Sequence, residues 1–342
     1  MKAAYLPGNR TVAIHEIDTP RPGPGQILVR MRASTICGSD LRAIYREHLG
    51  EGPEGYQNVV AGHEPCGEVA EIGSGVEGFA PGDRVVVYHI SGCGQCDDCR
   101  RGYQISCTSP RRAAYGWQRD GGHADFLLTE ARDLLHLPAS LTFLDGACVA
   151  CGFGTAYEAL CRLNISGRDR VLVVGLGPVG LAVGLLAREM GATSIVGVDP
   201  SSERRALAIQ LGAVSDVSDG SDLETLLPVG ADAAVDCSGA GAGQLSAIQN
   251  TRRWGRVALV GEGGQLSVDV SANIIHQQLT IFGSWVSSTI RMAELLDRLD
   301  HWKLHPSVVV TQNFSIDQAA DAYALADSGV TGKVGIVWPE AS

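Results

Sequence analysis

Positive charge is in short supply. Lys and Arg total 27 against 38 Asp and Glu, for a net charge of −11. Neither nucleic acid nor an anionic membrane is therefore expected as the main partner. An apolar leader core is missing as well: Lys2, Arg10, His15 and Glu16 interrupt the amino-terminal stretch, as no secretory signal would. Two runs, 171–187 and 270–290, carry no Asp, Glu, Lys or Arg. The later one holds Asn273, His276, Gln277, Gln278 and several serines, too polar for a membrane span. The earlier one is broken by glycines and a proline and fits a strand followed by a helix. Repeats of 20–50 residues and low-complexity tracts are absent. These absences predict a cytoplasmic protein with no membrane partner, and its 342 residues suggest two domains.

What is present centres on residues 171–199. Val171–Val174 read as a buried parallel strand. Gly175, Leu176, Gly177, Pro178, Val179 and Gly180 then form a GxGxxG turn that opens a helix. Such a turn needs its first glycine for tightness, its second to admit a pyrophosphate, and its third so the helix can lie on the strand. A second strand, Ser194–Val198, ends at Asp199, where an acidic residue would hold ribose hydroxyls. Strand, helix, strand and acid in that order predict dinucleotide binding. Asp199 would repel a 2′-phosphate and favours NAD, while Arg204 and Arg205 keep NADP open.

Four of the ten cysteines crowd into one loop as C-x2-C-x2-C-x7-C: Cys93, Cys96, Cys99 and Cys107. With no export signal, such crowding reads as metal binding before disulfides. Four thiolates can close a tetrahedral zinc shell, which makes a structural site. A 4Fe–4S cluster takes the same number of cysteines, but nothing else in the chain suggests electron transfer. A second set is dispersed: Cys37 in Cys37-Gly-Ser39-Asp40, His63 and Glu64 in Gly62-His-Glu, and Cys151. Two thiolates and one imidazole form a zinc site with an open fourth position.

Before residue 140 the chain reads as short strands with Gly-rich turns: Gly67–Ile72, Gly82–Tyr88 and Ala124–Leu128, an antiparallel barrel-like domain. Helices are expected over 143–150 and 155–162. Strands follow at 171–174, 194–198, 214–217, 233–236, 256–260 and 279–282, the six of a doubly wound sheet. The tail reads as a helix at 289–299, a strand near 308–310, a helix at 316–327 and a strand at 332–337.

Taken together, CGSD at 37–40, GHE at 62–64, the cysteine loop at 93–107, GLGPVG at 175–180 and TGK at 331–333 resemble the zinc-dependent medium-chain dehydrogenase/reductase family of alcohol, polyol and threonine dehydrogenases. The resemblance covers essentially the whole chain. It implies an α/β protein with a GroES-like β-barrel catalytic domain at 1–150 and 287–342, a Rossmann domain at 151–286, and an active site in the cleft between them. It implies two zinc ions per chain, NAD as cofactor, a small alcohol as substrate, and a homodimer or homotetramer, with the strand near 279–282 as a pairing edge. It places the catalytic zinc on Cys37, His63 and a third residue. CGFGTAY at 151–157 resembles the alcohol dehydrogenase version, which makes Cys151 that residue. Polyol branches use the position of Glu64 instead, so Glu64 is read as a supporting or exchanging ligand, and Cys148 as a weaker candidate.

Asp40 is expected to hydrogen-bond His63 and fix its tautomer, and Ser39 to take up the alcohol proton. One departure stands out: Arg42 occupies the position where many members have the histidine that passes this proton to water, and arginine is a poor base. His48 reads as an exposed loop histidine. The loops at 237–239 and 261–263 are expected near the nicotinamide. Pocket candidates are Tyr45, Tyr88, Trp117 and Trp285. The substrate stays open among secondary alcohols, polyols, simple alcohols, threonine and sugars, as does an NAD(P)-binding zinc protein that no longer oxidises alcohols.

Overall fold

The computed structural model describes residues 1–48 and 55–339. The chain divides into two compact units, Met1–Cys151 with Ser287–Ser342, and Gly152–Val286.

In the first unit, β1 (Lys2–Gly8) and β2 (Thr11–Glu16) form an antiparallel hairpin. The long β3 (Gln26–Thr35), β4 (Pro65–Ile72) and β5 (Arg84–Val87) follow. The short β6 (Ile90–Ser91) and β7 (Ala113–Ala114) pair with each other beside the cysteine loop, and β8 (Phe126–Glu130) and β9 (Leu134–His136) complete this stretch. Inward positions of β3, β4, β5 and β8, among them Ile27, Val29, Met31, Val69, Val85, Val87 and Leu127, meet in one apolar core.

The second unit holds six parallel strands: β10 (Arg170–Val174), β11 (Ser194–Val198), β12 (Asp216–Ser218), β13 (Ala231–Asp236), β14 (Thr251–Leu259) and β15 (Thr280–Gly283). They lie in the order β12-β11-β10-β13-β14-β15. The reversal of order falls between β10 and β13, where doubly wound sheets bind ligands beyond the strand ends. Central β10 and β13 are buried almost throughout, which accounts for their unbroken apolar runs. The glycine turn is sterically required. A Cβ on Gly180 would lie 1.9 Å from the Gly175 carbonyl oxygen, whereas a Cβ on Gly177 would meet nothing within 4 Å. The middle glycine thus faces open space at the N-cap of the helix Pro178–Glu189, which starts on its proline.

Returning to the first unit, the chain forms β16 (Val310–Phe314) and β17 (Lys333–Val337). The sheet there runs β16-β17-β3-β4-β5-β9, with β8 also on β3. β3 is its hub: Ser34 pairs with Pro65 of β4, and Thr35 with Gly335 of β17. Residues 35–37, 63–64 and 333 are therefore brought together at one end of three strands.

Several expected elements shift. The strand expected at 214–217 is β12, Asp216–Ser218: Val214 is buried by packing after the helix Ser202–Gln210, not by pairing. The strand near 308–310 is a 3₁₀ turn, Pro306–Val309, started by its proline, and pairing begins at Val310. The helices expected at 143–150 and 155–162 are joined by a π turn, Val149–Phe153, between Phe143–Cys148 and Gly154–Leu163. Gly152 and Gly154, read as a break, are buried inside this continuous helical run. Cys151 sits within the π turn, a distortion that often marks functional sites.

Candidate metal centres and nucleotide site

Cys37 ends the β3 crossing and caps the short helix Gly38–Asp40. The Asp40 carboxylate, fully buried, does two things at once. Its Oδ2 accepts the Cys37 N–H at 3.4 Å, and its Oδ1 lies 2.8 Å from His63 Nδ1. That contact makes Nδ1 the donor and leaves Nε2 as the nitrogen that could ligate a metal. Donor atoms of Cys37, His63, Glu64 and Cys151 all lie within 4.8 Å of one another. Burial lowers the His63 pKa, but Asp40 and Cys37 outweigh it and hold it well above the ordinary value. The hydrogen bond from Cys151, with help from His63, outweighs burial and holds the Cys37 thiol well below its usual range.

Glu64 is already engaged. It accepts from Thr35 Oγ1 at 2.6 Å and from Lys333 Nζ at 2.8 Å, and Lys333 also approaches the Ile36 carbonyl at 3.4 Å. Both members of the pair are buried. Burial lifts the Glu64 carboxyl to about 7 against the pull of Lys333. On Lys333 burial acts downward, but the carboxylate and neighbouring thiols win and raise its pKa.

Beside His63 stands His89, with ring centroids 5.2 Å apart. His89 is buried, its Nδ1 lies 2.7 Å from the Ala150 carbonyl, and burial pushes its pKa down to about 3. Sequence reasoning missed His89, and it met Lys333 only as part of a motif. Ser39 is half-buried and Arg42 exposed on the following π turn. His48 is exposed, with Nε2 2.8 Å from the Leu6 carbonyl, so it is already bonded.

The second group is Cys93, Cys96, Cys99 and Cys107, whose sulfurs also lie within 4.8 Å of one another. The Cys93 sulfur accepts the Gln95 and Cys96 N–H groups at 3.4 and 3.3 Å, and Cys107 accepts the Cys93 N–H at 3.3 Å. Those two backbone donors hold the Cys93 thiol down to about 6. A Cβ on Gly92 would sit 2.6 Å from the Cys99 sulfur, so closure of the loop needs that glycine.

Both groups fit zinc. Two sulfurs on one tetrahedral zinc stand about 3.8 Å apart, and those of Cys93 and Cys99 are 3.9 Å apart. A four-iron cluster would spread its thiolates over separate irons, much farther apart. The other group combines two sulfurs, one oriented imidazole and a carboxylate that also accepts from Lys333 and Thr35.

In the nucleotide unit, Asp199 lies at the end of β11 and is 2% exposed. Its Oδ2 accepts the Leu176 N–H at 2.8 Å, its Oδ1 accepts the Ser201 N–H at 2.9 Å, and Arg204 stands 3.6 Å away. Arg205 donates to the Asp199 carbonyl at 2.6 Å. Asp199 thus ties the glycine turn to the next helix. Gly177 leaves room for a phosphate group there. Tyr45 and Tyr88 are buried, with the Tyr88 hydroxyl donating to the Ser287 carbonyl, while Trp285 is exposed. Among the described residues no helix is long and apolar enough to cross a membrane.

Comparison with known proteins agrees with this architecture. Residues 23–139 match the alcohol dehydrogenase GroES-like domain, and residues 178–301 the zinc-binding dehydrogenase domain. The chain is 50% identical over 350 residues, 99% of each chain, to the uncharacterized zinc-type alcohol dehydrogenase-like protein YphC of Escherichia coli. It is 32% identical over 341 residues, 93% of each chain, to L-threonine 3-dehydrogenase of Pyrococcus horikoshii. Among solved structures, alcohol dehydrogenase TADH from Thermus sp. ATN1 superposes with a TM-score of 0.88 at 28% identity, covering 98% of this chain and 99% of that one. The chain belongs to the zinc-type medium-chain dehydrogenase/reductase family. It is a zinc-type NAD(P)-binding oxidoreductase.

Proposed function

We propose that the protein oxidises a small alcohol, a secondary alcohol or polyol by preference, with NAD as acceptor. In this reading Cys37, His63 and Cys151 hold the catalytic zinc, and Cys93, Cys96, Cys99 and Cys107 the structural one. A bound zinc favours loss of the alcohol proton, and a bound nicotinamide accepts the hydride. The rest falls to the chain. Cys37 and Cys151 supply negative charge, and Asp40 keeps the His63 ring oriented. Lys333 and Thr35 engage the Glu64 carboxylate, and with Cys37, His63 and Cys151 as ligands a fourth position would be open to substrate. The Ser39 hydroxyl takes the proton and passes it to water, since arginine, as at position 42, is a poor base and His48 Nε2 is bonded to the Leu6 carbonyl. Gly175, Gly177, Pro178, Val179 and Gly180 form the phosphate turn. Asp199 and Arg204 shape the ribose end, and the buried acid disfavours a 2′-phosphate.

The observation that carries this reading is the meeting of Cys37, His63 and Cys151 donors above Asp40. Cys37→Ser and His63→Ala proteins should stay folded, bind NADH, and lose alcohol oxidation by about 1,000-fold or more. Absorbance of the reduced cofactor, read across alcohols, polyols and threonine, measures this. Full activity in either variant would sink the proposal.

A further inference from the structure

His63 is delivered by a glycine. Gly62 has φ +90°, a left-handed backbone that glycine adopts without steric cost. Residues 121–123 run alongside 60–62: the N–H groups of Gly121, Gly122 and His123 donate to the carbonyls of Val60, Gly62 and Ala61 at 2.8, 2.7 and 2.8 Å. The His123 ring covers the face of Gly62 where a side chain would otherwise lie, since a Cβ there would be 2.3 Å from its Cδ2. His123 and Tyr323 are both fully buried, and the Tyr323 hydroxyl stands 3.1 Å from His123 Nδ1 with the rings edge to face. Nδ1 accepts this bond, because the opposite tautomer would strand the hydroxyl proton as well as Nε2. Nε2 is sealed from water and makes no hydrogen bond of normal geometry, although the Thr35 backbone draws on the ring. Burial pushes the His123 pKa down to about 4, which keeps the ring neutral.

Tyr323 lies on the helix Ala319–Ser328 and also meets Tyr45, with ring centroids 5.2 Å apart. Tyr45 ends the π turn Leu41–Tyr45, which continues directly from Asp40. One phenol therefore touches two arms of the unit: the turn that carries Asp40 and, through His123, the glycine that carries His63. These arms meet in the 2.8 Å contact between Asp40 Oδ1 and His63 Nδ1. Asp40 is close enough to influence the ionisation of both His123 and Tyr323. We propose that Tyr323 and His123 are positioning residues, whose hydrogen bond holds the His63 backbone in register with Asp40 and so fixes the direction of the imidazole. This rests on the zinc reading of Cys37, His63 and Cys151 above. A ligand that follows a glycine has little backbone restraint of its own, so its support must come from what packs on that glycine. Groups that orient a metal ligand are worth about 10–100-fold in metal affinity.

Competition for zinc against a colorimetric chelator tests this without turnover. Tyr323→Phe deletes one oxygen, and His123→Phe keeps a ring over Gly62 but offers no acceptor. Each should weaken the hold on one of the two zinc ions about tenfold. The double variant should be no weaker than either single, because all three lack the same bond. His123→Asn, whose side-chain oxygen can stand where Nδ1 stood, should return the affinity close to the wild-type value. The other zinc should be held as before in every variant, whereas a general loosening of the unit would weaken both. In a Cys37→Ser background, left with the zinc of the cysteine loop, the same substitutions should change nothing. Wild-type zinc affinity in Tyr323→Phe and His123→Phe, equal weakening of both ions, or an Asn variant as weak as the Phe variant overturns the proposal. The zinc reading fails separately, if Cys37→Ser alone binds as much zinc as the wild type.

Discussion

Lys333 and Glu64 sit within a fully packed region, and neither reaches solvent. Replacing only the lysine strands a carboxylate whose remaining side-chain donor is Thr35. Breaking one half of a buried pair costs about 3–5 kcal/mol, while replacing both halves costs far less. Lys333→Met should therefore lower the urea midpoint strongly, and Lys333→Met with Glu64→Gln should recover most of the loss. A double variant no more stable than the single would show that the pair is not coupled. This arrangement marks the limit of what residue patterns disclose. Cys37, His63 and Cys151 carried chemistry visible in their types and flanking motifs. His89 has the same letter as any core histidine; its distinction is a ring tilted against that of His63 and a tautomer set by the Ala150 carbonyl. Both arise from tertiary packing and leave no periodic trace.

The helix that leads to Cys151 is anchored at its start. Thr142 caps it and Asp145 closes the capping box. The buried carboxylate also takes the Ser307 N–H at 2.8 Å and lies 2.9 Å from His305 Nδ1. Burial pushes the Asp145 pKa up, but these hydrogen bonds outweigh it and the net shift is downward. A depressed folded-state value means that the stabilisation is complete above the ordinary carboxylate pKa of about 4 and fades as pH falls through the folded value. Asp145→Asn should cost about 2 kcal/mol at pH 7, and the gap should narrow steadily below about pH 4. Denaturant titrations at a series of pH values measure it; a constant gap would argue against the charged form as the source. Thr142 and Asp145 have the types and spacing of a capping box, a signal the sequence reading did not use. The π turn was not readable, because Gly152 and Gly154 look like a break when the neighbours that bury them are unknown. The glycine turn and its strand order were the most legible element, since steric demands at Gly180 admit few alternatives.

Across the whole molecule, the two cysteine-bearing groups belong to one unit, yet they should fail in different ways. The loop around Cys93–Cys107 contains only brief regular elements, such as the turn Asp97–Arg100, and β6 and β7 pair over just two residues each. So little apolar burial cannot order a segment by itself, and ligation must contribute to its folding. The group at Cys37 lies instead at the end of a broad sheet that packs without assistance. Cys96→Ser should reduce zinc from two ions per chain to one and lower the melting temperature by several degrees, with NADH affinity retained because the glycine turn lies in the other unit. Cys37→Ser should also reduce the zinc count but leave the melting temperature nearly unchanged while abolishing oxidation. Metal analysis, calorimetry and NADH titration on the two proteins separate these outcomes. Equal thermal losses in both would mean that the two metals share a single structural role.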